Sequence, residues 1–158
     1  MFEHFSERSR RVVFQARRGA GHRGATALEP VDLLDALVRE DQGEMASMSP
    51  GAVTSSGPLQ LPGRPFFSQG TASQILAAIE RILPPKAAPL ADSVDMVCSP
   101  ELGEIFSRAM ALAKELHHGR VQPLHLVAAI IPDGGNGVAE ILKRAGIAKE
   151  AVIAAIQS

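Results

Sequence analysis

The stretch LEPVDLLDAL at residues 28–37 recurs in altered form as VQPLHLVAAI at residues 121–130. In both copies a proline precedes a run of apolar residues at helical spacing. Proline is tolerated in the first turn of a helix, where the N–H that it lacks has no intrahelical partner. Each stretch therefore predicts a short apolar helix that begins at Pro30 or at Pro123.

The recurrence extends beyond these two stretches. Residues 6–38 align without a gap on residues 99–131, at a constant offset of 93 positions, and apolar positions coincide along the alignment. The identical pairs are Ser6/Ser99, Ala16/Ala109, Ala20/Ala113, Pro30/Pro123, Leu33/Leu126 and Ala36/Ala129. The sequence thus predicts two copies of one unit, built as helix, loop, proline and apolar helix.

The first helix of each copy is predicted to be amphipathic. In copy one an apolar stripe faces the core and polar residues line the other side; the stripe is Phe5, Val12, Val13, Ala16 and Ala20, and the polar residues are Arg8, Arg11, Gln15, Arg18 and His22. In copy two Ser99, Pro100 and Glu101 form a strong start signal for a helix that runs to about His117. Gly24 and Gly119 are the predicted ends of these helices.

The rest of the chain predicts further helices separated by breakers. One helix is expected over 72–83 and ends at Pro84-Pro85, and two more are expected over 138–145 and 149–156. Residues 43–70 are rich in proline, glycine and serine and predict a mostly irregular loop where copy one should have its third helix. We therefore expect a single all-α domain over 1–158, with one repeat at 1–83, a linker at 84–97 and a second repeat at 98–158.

Composition supports a helical protein that binds through local surfaces. Of 158 residues 46% are hydrophobic, which is enough for a core, and the 4% that are aromatic are all Phe. The net charge of −1 gives no reason to expect binding to nucleic acid or to a membrane. A single cysteine, no apolar run near 20 residues and no secretion signal favour a cytoplasmic monomer.

Several blocks of the sequence resemble the N-terminal domain of Clp/Hsp100 ATPases. The stretches 28–37 and 121–130 resemble the paired "-x-E/P-x-H-L-L-x-A-L" segments of that family, and VAEILKRAGI at 138–147 resembles its third-helix block. The start MFEHFSER at 1–8 is also similar to the family's start. The resemblance implies two four-helix units that stack about a pseudo-twofold axis.

The resemblance also implies a function. In that family the domain binds polypeptide substrates or adaptor proteins and presents them to the ATPase ring. This chain has no G-x-x-x-x-G-K-[ST] motif, so we expect neither nucleotide hydrolysis nor another enzymatic activity, and no cofactor or metal. The expected partners are a polypeptide or adaptor and a Clp-type ATPase, for a free-standing or excised domain. The alternative is a structural or regulatory protein of the same fold that recognises an unrelated helix or peptide.

The chain departs from the family pattern within its motifs. Asp32 stands where the first copy usually has His. In some members an acidic residue just before the motif His binds phosphorylated arginine, and the matching positions here, Val31 and Leu124, are apolar. The resemblance therefore implies a hydrophobic groove rather than a phosphoarginine site.

The candidate protein-binding residues are aromatic, basic or near the prolines. Phe66 and Phe67 are either a plug that folds back over the domain or an exposed anchor for a partner, and Phe2 and Phe5 carry the same two alternatives. Arg8, Arg11 and Arg18 share a helix face, which is a solvated surface, a site for an acidic protein or, as the least favoured of the three, a site for nucleic acid. Leu28 and Val121 mark a further candidate site, between the two proline-led helices.

Histidine and cysteine give weaker signals. His125 lies inside an apolar helix and is expected to be buried and hydrogen-bonded. His117 and His118 are neighbours at a helix end and point apart, which predicts a solvated end rather than a metal site. Cys98 precedes a helix start, where the helix dipole could lower the pKa of its thiol.

Overall fold

The computed structural model describes residues 2–43, 65–83, 97–132 and 137–157, and these residues confirm the all-α prediction. A short 3-10 turn at Phe2–His4 comes first. The seven described helices are α1 (Glu7–His22), α2 (Pro30–Asp41), α3 (Gln69–Ile82), α4 (Pro100–Glu115), α5 (Pro123–Ile130), α6 (Val138–Arg144) and α7 (Lys149–Gln157). Two short strands, β1 (Ala27–Leu28) and β2 (Val97–Cys98), precede α2 and α4.

Hydroxyl caps and prolines begin the long helices, as their chemistry predicts. The Ser99 side chain accepts a hydrogen bond from the Leu102 N–H at 3.2 Å, and Pro100 is the first residue of α4. Ser6 and Ser68 cap α1 and α3 in the same way. These caps satisfy N–H groups that a helix start leaves without an intrahelical partner.

The ends of α1 and α4 correspond, although one of them differs from the prediction. Gly24 lies just beyond α1 with φ of 76°, and His117, 93 positions later, lies just beyond α4 with φ of 59°. The prediction that Gly119 ends α4 is therefore wrong. Histidine can adopt this left-handed conformation, although at a steric cost that glycine avoids.

The remaining helices lie close to their predicted positions. α3 begins three residues before the predicted Ala72, because the Ser68 cap lies earlier than sequence reasoning placed it. α6 and α7 differ by one residue at their ends from the predicted 138–145 and 149–156. The predicted irregular loop at 43–70 and linker at 84–97 lie mostly outside the described residues.

Parallel backbone pairs join the two halves of the chain. Leu28 pairs with Cys98 in the β1–β2 sheet, and Phe5 forms a parallel bridge with Val121. The Ser99 N–H donates to the Leu28 carbonyl, and the Ser6 N–H to the Val121 carbonyl, both at 2.9 Å. The offset of 93 residues relates one set of contacts to the other. The segment before each long helix is therefore held by the loop of the other half.

One hydrophobic core runs through both halves. It includes Leu33 and Leu126, both fully buried, and an edge-to-face pair of Phe5 and Phe106 with ring centroids 5.6 Å apart. The main helix contacts are α1 with α2, α4 with α5, and α5 with α7, while α2 and α5 contact each other across the centre. Because both halves contribute to one core, a groove on the surface of the protein can be lined by residues from both halves.

Candidate functional site

A groove of about 970 Å³ opens among the described residues, and we call it the main groove. Its walls come from the start of α1, the end of α2, residues 65–67, the α4–α5 link, α5 and the end of α7. The apolar lining is Leu37, Pro65, Phe66, Phe67, Pro123, Leu124, Val127, Ala155 and Ile156. The polar lining is Arg8, Glu40, Asp41, His117, His118, Arg120 and Gln122, with Gly119. The lining is thus about half apolar and half polar, and a cleft that combines apolar surface with placed polar groups can serve as a binding site.

The end of α2 holds one wall of the groove in place. The Asp41 carboxylate accepts hydrogen bonds from the backbone N–H groups of Phe66, at 2.8 Å, and Phe67, at 2.9 Å. The Gln42 side-chain amide donates to the Phe67 carbonyl at 2.9 Å. Hydrogen bonds to an ionised acceptor are stronger than neutral ones, so Asp41 fixes this segment against α2.

The two neighbouring phenylalanines occupy different environments. Phe67 is 2% exposed and belongs to the core, whereas Phe66 is half-buried and lies at the groove. Their rings meet edge to face, with centroids 5.0 Å apart. The exposed-anchor alternative is therefore wrong for Phe67, because the Asp41 contacts turn its backbone inward. Phe66 remains able to contact a partner.

An ion pair joins α1 to α2 at one side of the main groove. The Arg8 guanidinium donates to both oxygens of Glu40, at 2.9 and 2.6 Å. The Glu40 side chain is only 13% exposed, so water competes weakly for it. The Arg8 charge is therefore largely compensated by Glu40. Because Arg8 lines the main groove, it does not offer a free charge to an acidic partner on the outside of α1.

A chain of hydrogen bonds supports the opposite wall. The Gln122 N–H donates to Nδ1 of His125 at 2.8 Å, and Nε2 of His125 lies 2.9 Å from Nδ1 of His118. Because Nδ1 of neutral His125 is an acceptor, its proton lies on Nε2, which donates to His118. Burial, followed by the charge of His118, lowers the pKa of His125 to about 4. His125 is thus buried and hydrogen-bonded, as predicted, whereas His118 is half-buried rather than a solvated helix end.

Asp32 takes the place of His125 in the first half of the chain. Its carboxylate accepts a hydrogen bond from the Glu29 N–H at 3.0 Å, as His125 does from Gln122, and it forms an ion pair with Arg23. Burial lowers the pKa of Arg23, and the nearby Asp35 charge opposes that effect. The two equivalent positions therefore cap their helices with different chemistry, one with a carboxylate paired with an arginine and one with a neutral imidazole.

Several of the candidate binding residues lie in the core. Phe5, Leu28 and Val121 are at most 3% exposed, because the parallel backbone pairs that join the halves bury them. None of the three can form a contact surface, so Leu28 and Val121 are wrong as binding candidates, whereas for Phe5 the core alternative holds and the exposed-anchor alternative is wrong. The side chain of Phe2 lies outside what the structure describes. Arg11 and Arg18 lie on the solvent side of α1, apart from Arg8.

From the sequence, Glu40 and Asp41 were not identified as residues of the groove, and the wrong direction was expected for the pKa of Cys98. Glu40 and Asp41 lie at the C-terminal end of α2, where the helix dipole disfavours negative charge. Two carboxylates at this position therefore indicate that groups from other segments of the chain bind them. These groups are the Arg8 guanidinium for Glu40 and the backbone N–H groups of residues 66–67 for Asp41. Burial raises the pKa of the Cys98 thiol, contrary to the expected effect of a helix dipole.

Within the described ranges, no group of three or more His, Cys, Asp or Glu side chains could hold a metal ion. In the same ranges, no helix has the length and apolar character needed to cross a membrane.

Comparison with known proteins identifies the fold. The family model for the Clp repeat (R) N-terminal domain matches residues 98–158. A chain from a malarial protein secretion system is 22% identical, with a TM-score of 0.71, over 98% of this chain and 92% of that one. The N-terminal domain of the caseinolytic protease associated chaperone ClpD from Arabidopsis thaliana is 21% identical, with a TM-score of 0.68, over 98% and 96%.

A third structure agrees with these two. The Hsp104 N-terminal domain from Candida albicans is 16% identical, with a TM-score of 0.61, over 95% of this chain and 87% of that one. No curated protein sequence matches the chain. Residues 98–158 thus match the family model of the Clp repeat N-terminal domain, and the chain has a fold similar to that of the Clp N-terminal domains.

Proposed function

We propose that this protein is a non-catalytic module that binds polypeptide segments in its main groove, as a substrate receptor or adaptor for a Clp-type ATPase. The observation that carries the proposal is the groove itself: an apolar floor shared by both halves of the chain, with polar groups around it. The Clp N-terminal domain fold supports the role, because the resemblance to that family implies polypeptide binding.

The chemistry of the groove suits an apolar segment of an unfolded chain. Leu124 and Phe66 are half-buried, so they offer apolar surface that a bound side chain would remove from water. Arg120 and Gln122 are exposed beside them and can hydrogen-bond the backbone of such a segment. Apolar contacts supply affinity in this arrangement, and the polar groups orient the bound chain.

The walls of the groove are held before any ligand arrives. Asp41 fixes residues 66–67, the Arg8–Glu40 pair joins α1 to α2, and the His118–His125 contact joins the α4–α5 link to α5. A site that is already ordered loses less conformational entropy on binding. This order favours the groove as a recognition site.

A direct test measures binding of a permanently unfolded probe. Fluorescein-labelled, reduced and carboxymethylated α-lactalbumin is titrated with the native chain, followed by anisotropy. Phe66→Ser and Leu124→Ser should each raise the Kd about tenfold, as for apolar contacts near the centre of an interface. Val97→Ser is the matched control, since Val97 is 67% exposed on β2 and does not line the groove.

Two results would contradict the proposal. One is no binding of the unfolded probe by the native chain at concentrations up to about 1 mM, the affinity of a weak contact. The other is an equal loss for the groove variants and for Val97→Ser. ATP turnover by the purified chain would likewise contradict a non-catalytic role. A rise in ATPase rate when chain and probe are added to a Clp-type ATPase would support the adaptor role.

A further inference from the structure

Helix α1 presents two different faces. One face carries Val12, Ala16 and Ala20 into the core, and all three are buried. The other face has a phenylalanine at its centre, Phe14, whose exposed fraction of 54% is high for a large apolar side chain. An exposed phenylalanine in the middle of a helix contributes little to folding.

Arginines surround this phenylalanine on both sides. At 100° per residue, Arg10 and Arg11 lie one turn before Phe14 on the same face, and Arg17 and Arg18 lie one turn after it. We call these five residues the outer face of α1. The four guanidinium groups span about 12 Å along the helix axis. Glu7, two turns before Phe14, is the carboxylate of α1 on this side.

Two arginine charges of the outer face, those of Arg11 and Arg18, are available to a partner. Among the described residues, Arg11 and Arg18 make neither an ion pair nor a hydrogen bond. Arg10 donates to the backbone carbonyl of Glu3 at 3.3 Å, and both Arg10 and Arg17 have other interactions within the protein. Arg8, in contrast, is paired with Glu40 at the main groove.

We propose that the outer face of α1 is a docking surface for an acidic protein segment. Such a segment would place an apolar side chain on the Phe14 ring and carboxylates against the arginines on either side. Aromatic residues and arginine are the residue types that most often dominate protein interfaces. Guanidinium groups pair well with carboxylates because their planar donors match the two oxygens.

Three other occupants fit this surface less well. Single-stranded nucleic acid prefers several aromatic rings in a basic track, whereas one ring lies here on a chain whose net charge is −1. An interfacial membrane helix needs a broad apolar face, and the apolar face of α1 is buried in the core. A second copy of the chain would bring the same arginines together, which repulsion opposes.

The test uses the full chain and a defined acidic probe. A fluorescein-labelled 16-residue helical peptide with a leucine stripe flanked by glutamates is titrated by anisotropy at several salt concentrations. The same peptide with lysine in place of every glutamate is the probe control. The variants are Phe14→Ser and the pair Arg11→Glu with Arg18→Glu. The pair Lys143→Glu with Lys149→Glu, exposed on α6 and α7, makes the same change in net charge elsewhere.

The native chain should bind the acidic peptide and not the lysine peptide, more weakly as salt rises. The arginine pair should weaken binding about tenfold or more, and Phe14→Ser about fivefold. The lysine pair should leave the Kd for the acidic peptide within about twofold of the native value, as expected for charges outside an interface. Circular dichroism should show that all variants are folded.

Other results would overturn the proposal. One is that the native chain does not bind the acidic peptide. Another is that the arginine pair and the lysine pair lose the same affinity for it. A third is that the native chain binds single-stranded DNA or vesicles with phosphatidylserine more strongly than the acidic peptide. Dimerisation of the native chain that Phe14→Ser abolishes would also overturn it. Because this probe and these substitutions differ from those used for the main groove, failure of either proposal leaves the other standing.

Discussion

Asp32 and His125 show how one structural task is met by two residue types. Each is the third residue of a proline-led helix, and each accepts a hydrogen bond from the backbone N–H at the start of that helix. Asp32 is charged and needs Arg23 beside it, whereas His125 is neutral and contacts His118. Different residues at equivalent positions can therefore serve the same fold while responding differently to pH.

Acid should weaken the fold through His125. Its pKa is lowered to about 4 in the folded chain and is about 6.5 when unfolded, so the unfolded state binds more protons between these values. The free energy of unfolding should therefore fall as the pH drops from about 6.5 towards 4, by up to roughly 1.4 kcal/mol per pH unit. Urea unfolding across that range measures the slope.

The control for this prediction is His125→Asn, which keeps an acceptor for the Gln122 N–H and cannot titrate. The difference in unfolding free energy between the native chain and this variant should change with pH across the same window. Parallel curves for the two proteins would show that His125 does not carry the effect.

At the scale of elements, the end of α2 organises the groove. A helix C-terminus usually attracts positive groups, yet α2 ends with Glu40 and Asp41. Both carboxylates have found donors in other segments: Arg8 of α1 for Glu40 and the backbone of residues 66–67 for Asp41. These contacts hold α1, α2 and the start of α3 together around the groove.

Replacing Asp41 with alanine should loosen that wall. The N–H groups of Phe66 and Phe67 would lose a charged acceptor, at a cost of about 1.5–3 kcal/mol per bond if nothing replaces it. Chemical unfolding should show the loss of stability, and hydrogen exchange at these two amides should become faster. Asp35→Ala is the control within the same helix, because its pair with Arg39 is more exposed and contributes about 0.5 kcal/mol. Equal effects of the two substitutions would refute the role given to Asp41.

At the scale of the whole molecule, the halves depend on each other. The segment before α1 pairs with Val121, and the segment before α4 pairs with Leu28. The core is continuous through α2 and α5. Because each half completes the other's backbone hydrogen bonds, we expect the chain to unfold as one cooperative unit.

Substitution of either core leucine tests that expectation. Leu33→Ala and Leu126→Ala should each cost about 2–5 kcal/mol, since both side chains are fully buried and each change leaves a cavity. Hydrogen exchange should show the loss in the most protected amides of both halves. Ile82→Ala, at a residue 42% exposed, should cost much less. Loss of protection confined to the substituted half would show that the halves unfold independently.

The sequence by itself determined the helical class, the offset of 93 residues and most of the helix starts. Those features are local: apolar spacing, serine caps and prolines act within one or two turns of the chain. The burial of His125 was likewise readable, because it interrupts an apolar run.

Only the tertiary structure decided which candidate residues reach the surface. Phe5, Leu28 and Val121 looked available in sequence, but the pairing of distant segments buries them. The roles of Asp41 and His118 depend on partners 7 to 26 positions away, whose approach no local pattern encodes. The arginines of α1 carry the same charge, and the packing of α1 on α2 pairs Arg8 with Glu40 at the main groove, whereas Arg11 is exposed and Arg18 half-buried outside that groove.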